Sequence, residues 1–324
     1  MIDFPGLTDN ITNPALLFFL FGILAVRAKS DLKIPESSSK FISIYLLLSI
    51  GFKGGQELSH SGFSTEVMHS LLLGIGLAAI IPVACYFILR LKFSISNAGA
   101  IAAAYGSVSA VTFVTATSFL DFENINFSGH MIAVMASMEA PAIIVGVLLV
   151  SYFKKKNGSQ NKTSFKSLIL HSITNASVML IIGSMIIGFL ASEKQAEGIK
   201  PFTTDIFKGF LAVFLLDMGI TSGKQLSIII KKGIYPFLFA AVMPFINGFI
   251  SLFIAMQITD NPGNLLLFSL LGASASYIAV PAAMKNAVPE ANPSLYLPMA
   301  LGITFPINVI IGIPMYYTII QNCA

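Results

Sequence analysis

The chain has 324 residues, of which 55% are apolar and only 10% charged, with a formal net charge of +4. A soluble domain is roughly one quarter charged, so this balance excludes an ordinary soluble protein and leaves lipid as the solvent for most of the chain. The distribution of the charge matters more than its small sum, and no nucleic-acid partner is expected. Cys85 and Cys323 make neither a disulfide framework nor a metal cluster.

The first apolar run, Ala15 to Val26, follows Asp3 and Asp9 with no basic residue before it. That flank is wrong for a cleavable signal, and the run is expected to stay as the first helix. Apolar runs of about 20 residues, enough to cross a bilayer as a helix, then predict spans near 12–27, 40–57, 66–90, 97–119, 130–153, 167–191, 204–221, 232–257, 263–284 and 295–320. The expected fold is all-α: a polytopic membrane protein of about ten transmembrane helices.

Charge fixes the expected orientation. With the N-terminus periplasmic, Arg27, Lys29, Lys33, Lys40, Arg90, Lys92, Lys154, Lys155, Lys156, Lys162, Lys166, Lys224, Lys231, Lys232 and Lys285 fall on the cytoplasmic side, while Asp3, Asp9, Glu57, Glu66, Asp121 and Glu123 fall opposite. Positive charge collects on cytoplasmic loops, so both termini are expected in the periplasm and the chain in a bacterial inner membrane.

The basic loop 154–166 divides the chain into a first repeat at 1–153 and a second at 167–324. An odd number of spans per half makes the second half enter the membrane from the opposite side, the arrangement of inverted-repeat transporters. Faint similarity supports a repeat. Leu47 to Leu58 lies against Leu215 to Leu226, Gly106-Ser107-Val108-Ser109 against Ala273-Ser274-Ala275-Ser276, Asn97 against Asn264, and Glu139-Ala140-Pro141 against Thr304-Phe305-Pro306.

Gly106-Ser107-Val108-Ser109 in the fourth span and Ala273-Ser274-Ala275-Ser276-Tyr277, with Pro281 after it, in the ninth are small, polar stretches at matched depths. Paired interruptions of this kind point to broken helices that cross near the midplane and to a transport site there. Half-helix N-termini offer N–H groups to an anion, and hydroxyls and freed carbonyls can replace the water around a cation. Gly106, Ser107, Ser109, Ser274, Ser276 and Tyr277 are therefore the expected substrate-binding residues. The same hydroxyls would equally serve close helix packing.

Two acids, Glu139 and Asp217, fall inside apolar spans. A charge at the centre of a membrane helix costs about 2.5–3.5 kcal/mol even on the lenient insertion scale, so each should face the interior. Thr112, Glu139, Asp217, Thr304 and Asn308 are the expected sodium-binding residues, with no other metal or cofactor. The histidines His60, His69, His130 and His171 lie at span ends or loops without metal-ligand spacing, and no phosphate-binding glycine loop or hydrolase motif appears. No enzyme activity is expected.

The stretches Ala273 to Met284, Val288 to Leu295 and Gly302 to Pro314 resemble the C-terminal signature of the SbtA-type sodium-dependent bicarbonate transporters. Weaker similarity extends over the chain, including Gly106 to Ser109 and the turn from Ile34-Pro35 to Lys40-Phe41. The resemblance implies a Na⁺-coupled bicarbonate symporter, a core domain moving against a scaffold, a homotrimer and a PII-like cytoplasmic regulator. Another small anion, Na⁺/H⁺ exchange on the same architecture, and a non-transporting membrane sensor are the alternatives.

Overall fold

The computed structural model describes residues 14–62, 64–156 and 176–323. The basic loop from 157 onward, the start of the sixth predicted span and His171 lie outside them. The described chain is all-helical: α1 (Pro14–Arg27), α2 (Glu36–Ser61), α3 (Thr65–Leu89), α4 (Ile95–Gly106), α5 (Ala110–Phe122), α6 (His130–Lys156), α7 (Ala176–Leu190), α8 (Glu193–Lys200), α9 (Phe207–Ile230), α10 (Ile234–Ala255), α11 (Pro262–Ala273), α12 (Ala279–Ala287) and α13 (Pro293–Cys323). Among the described residues, six helices are long and apolar enough to cross a membrane when α4 with α5, and α8 with α9, are each counted as one; α1, α7 and α11 are apolar but shorter. α2 has the length but carries Glu36, Lys40, Lys53 and Glu57.

The seventh predicted span, 204–221, is too short. α8 opens at a capping box between Ser192 and Gln195, a π-turn over Pro201–Asp205 leads on, and α9 runs to Ile230. Ser222-Gly223-Lys224 reads as a stop in the sequence. In the fold Ser222 is buried and Gly223 packs on Val26 of α1, and such packing outweighs weak local propensity.

The most extensive helix contacts are α1 with α9 and α2 with α7. Both rest on backbone-to-backbone approach at glycine. A Cβ on Gly219 would lie 2.0 Å from the carbonyl oxygen of Phe19 in α1, and one on Gly188 in α7 would lie 2.1 Å from that of Phe52 in α2. α8 leads into α9, and the remaining helices form a second group: α3 packs on α4 and α6, α10 on α11, α5 on α11, and α12 on α4.

Two asparagines one turn into the broken helices hold distant loops. Asn97 of α4 accepts from the backbone N–H of Asn292 at 2.8 Å. Asn264 of α11 accepts from the N–H of Ser128 at 2.8 Å and donates to the Ser128 hydroxyl at 3.0 Å.

Ile234, Leu238, Val242, Ile246 and Ile250 form an exposed apolar stripe on α10, whereas its opposite face buries Asn247 and Ser251. Apolar outside and polar inside is the pattern of a multi-pass membrane protein, for which lipid covers the stripe. α13 is loosened by π-turns at Ala300–Thr304 and Asn308–Gly312. Pro298, Pro306 and Pro314 flank these turns, and a proline inside a helix removes a donor from the ladder.

Candidate functional site

The helices break where the sequence places its paired interruptions. α4 ends at Gly106, where a Cβ would lie 2.1 Å from the Pro82 ring of α3, so glycine lets the end of α4 pack this close to α3. Ser107 and Ser109 are extended, and the Ser109 hydroxyl caps α5 by accepting from the N–H of Thr112 at 3.2 Å. In the second half α11 ends at Ala273, Ser274 is extended, and the Ser276 hydroxyl accepts from the N–H of Val280 at 3.4 Å near the start of α12.

The two breaks cross in contact. The Ser109 N–H donates to the Ser274 hydroxyl at 3.0 Å, and the Ser276 N–H donates to the Ala104 carbonyl at 2.8 Å. All four serines are buried. The crossing aims the N-termini of α5 and α12 at a cavity of about 20 Å³ lined by Ser109, Ala110, Val111, Met135, Glu139, Ser276, Tyr277 and Ala279, with Ile181 of α7 closing it. That volume holds one water-sized occupant. The first N–H groups of each helix have no intrahelical acceptor, and the dipole ends are positive, so the cavity favours negative charge.

Glu139 is 7% exposed and forms no hydrogen bond or ion pair with another described residue. An unpartnered buried carboxylate is costly, so it calls for a cation or a proton in the cavity. Ser109, Ser276, Tyr277 and Glu139 are thus brought together. Gly106, Ser107 and Ser274 form the crossing itself and do not line the cavity.

The other expected sodium-binding residues sit elsewhere. Thr112 is buried in the first turn of α5 with its hydroxyl unpartnered. Asn308 donates to the Ala273 carbonyl at the end of α11 at 2.8 Å, and its Oδ1 has no partner. Thr304 is committed on both sides: it donates to the Ala240 carbonyl at 2.8 Å, so the Tyr105 hydroxyl at 2.7 Å must be donating to it. Asp217 is half-buried on α9 and accepts from the Ser39 hydroxyl of α2, away from the cavity; its neighbour Met218 meets Tyr277, whose hydroxyl lies 3.8 Å from the sulfur.

Sequence reasoning missed Tyr105, Met135 and Ile181. Tyr105 carried a signal, since a phenol beside a break in an apolar helix needs a partner; the other two are apolar residues among many. His130, at the start of α6, is 3% exposed and lies 3.2 Å from the Ser70 hydroxyl. No curated protein matches the chain. The family model of the Na⁺-dependent bicarbonate transporter superfamily matches residues 14–321.

Proposed function

The chain belongs to the Na⁺-dependent bicarbonate transporter superfamily, and we propose that it is a secondary symporter that takes up bicarbonate with Na⁺ by alternating access. The observation that carries this reading is one small buried cavity faced by two helix N-termini and an unpartnered carboxylate, Glu139. The N-termini of α5 and α12 suit the anion, and Ser109, Ser276 and Tyr277 orient it. Glu139 faces the cation. The unpartnered oxygens of Ser107, Thr112 and Asn308 are further candidate Na⁺ ligands, whereas Thr304 and Asp217 have their hydrogen bonds made.

The reading includes about ten membrane passages, in two inverted repeats at 1–153 and 167–324 joined by the loop 154–166. What supports it is reciprocity. Exchanging the halves turns the α1–α9 contact into the α7–α2 contact, α3–α4 into α10–α11, and α5–α11 into α12–α4. It also turns the clamp of Asn97 on Asn292 into that of Asn264 on Ser128. α1, α2, α7, α8 and α9 are the scaffold of this proposal and the other helices its moving core, with Ile181 lining the cavity and Met218 meeting Tyr277 from the scaffold side. Bicarbonate is larger than water, so loading requires the core to shift from Ile181. A bacterial inner membrane, periplasmic termini, a homotrimer and a PII-like regulator complete the proposal.

Voltage supplies about 2.3 kcal/mol per charge per 100 mV, so uptake of one anion gains from a negative interior only when more than one Na⁺ accompanies it. Radiolabelled bicarbonate uptake into proteoliposomes tests the function: uptake should rise when an inward Na⁺ gradient is imposed, and equal uptake without the gradient would refute the coupling. The unpartnered Glu139 also favours a second reading, Na⁺/H⁺ exchange, which predicts pH-driven Na⁺ flux with no anion present.

A further inference from the structure

A cleft of about 500 Å³ opens between the two groups of helices at the end of the molecule where α2, α5 and α7 finish. One wall is α2 with α8 and the start of α9; the other is α5, the loop 123–129 and the start of α6. The acids Glu57, Asp121, Glu193 and Glu197 line the cleft and are exposed, as is Lys200 on α8. Lys53 lies one helical turn deeper on α2 than Glu57, half-buried, and is the deepest charge on that wall. Its ammonium sits 5.5 Å from the centroid of the Phe207 ring, within cation–π range. Asp121 on the opposite wall lies within electrostatic range of it, but no carboxylate among the described residues forms an ion pair with it.

The floor of the cleft adjoins the crossing cavity. Ile132 lines the cleft and Met135 the cavity, three residues apart on α6, or about 4.5 Å along a helix. On α5 Thr117 lines the cleft and Val111 the cavity. Both spaces are walled by the same two helices, and Ile50 and Ile132 line the cleft but not the cavity.

We propose that this cleft is the outer entry vestibule of the transport site, and that Lys53 at its floor is a capture station that selects the small oxyanion before it passes Ile50 and Ile132. The inference rests on the transport reading above and adds the route and the residue that filters it. A charge in a low-dielectric cleft concentrates its counter-ion. The exposed acids hold cations in the outer zone, and the anion meets an ammonium that lies within electrostatic range of Asp121 but is tied into no ion pair. Lys53 does not line the binding cavity, so its charge acts on arrival and leaves the bound state untouched.

Two measurements test this. In proteoliposomes, Lys53→Gln should raise the KM for bicarbonate about tenfold with kcat within about twofold, and Lys53→Arg should restore KM. A fall in kcat at constant KM, or an unchanged KM, would overturn the proposal. The second readout needs no transport. With Cys323 replaced by Ser and Cys85 buried, Thr204→Cys places a part-exposed thiol on the cleft wall one turn before Phe207, and labelling by an anionic methanethiosulfonate is compared with labelling by a cationic one. Adding Lys53→Gln should lower the anion-to-cation rate ratio about tenfold. An unchanged ratio, or no labelling at all, sinks the vestibule. A ratio that shifts in a protein showing no bicarbonate uptake would refute the transport reading while leaving the cleft an anion filter.

Discussion

The two broken helices are built alike and equipped differently. Each leaves its first half at a small residue, crosses in an extended serine segment, and holds a distant loop through an asparagine one turn from its start. The helices that follow them diverge. α6 stays α-helical through Pro141 and presents Glu139 to the cavity, whereas α13 takes two π-turns and presents a committed Thr304 and a half-committed Asn308. Matched backbones therefore carry unmatched chemistry, with a carboxylate from one half and neutral oxygens from the other. In the proposed symport a site for two unlike ions needs that inequality, and two identical halves would not provide it.

The largest effect should come from the glycine contacts that the two halves share. Gly219→Val and Gly188→Val each drive a side chain into a backbone carbonyl and should destabilise by about 3 kcal/mol or more, read as a lost monodisperse peak or a lowered Tm in detergent. If one folds normally, the two contacts are not equivalent. Next, Glu139→Gln should keep the fold and cut Na⁺-dependent uptake at least about tenfold, because it removes the charge that a cation offsets; uptake that keeps its Na⁺ dependence would remove Glu139 from the site.

The clamps sharpen the comparison further. Asn264 is fully buried and makes several bonds, including one to Glu66 at 3.3 Å, while Asn97 makes one to its loop and is partly exposed. Asn264→Ala should cost about 2–3 kcal/mol and Asn97→Ala about 1 kcal/mol. Thr304→Val strands the Tyr105 hydroxyl and should cost about 1–2 kcal/mol while Na⁺ dependence survives; its loss in a folded variant would make Thr304 a ligand. The smallest effect is expected from Asp217→Asn, since an amide oxygen still accepts from Ser39. Uptake should stay within about twofold.

The sequence was most legible where a local rule has a local consequence. Gly106 and the serines mark the breaks because small polar residues at membrane depth serve few other ends, and Asn97 lies against Asn264 because each sits at the same place in its helix. Thr304 and Asn308 looked equivalent as oxygens in one span, yet Ala240 and Tyr105 consume the first and only the amide nitrogen of the second is consumed. Contacts between segments so distant in sequence leave no periodic trace. Lys53 reads on its own as a misplaced charge in an apolar helix, and its place becomes intelligible only beside Phe207, which lies far along the chain. Lys224 misled in the opposite sense, ending the seventh span early because the glycine before it is a packing residue on α1.

The bonds from Ser109 to Ser274 and from Ser276 to Ala104 join the two extended segments from both sides. Neither segment can open without surrendering a donor or acceptor of the other, so the pair is a single cooperative unit. In hydrogen exchange the amides of Ser109 and Ser276 should therefore lose protection together, and a substitution that loosens one break should accelerate exchange in the other half of the chain by a similar factor.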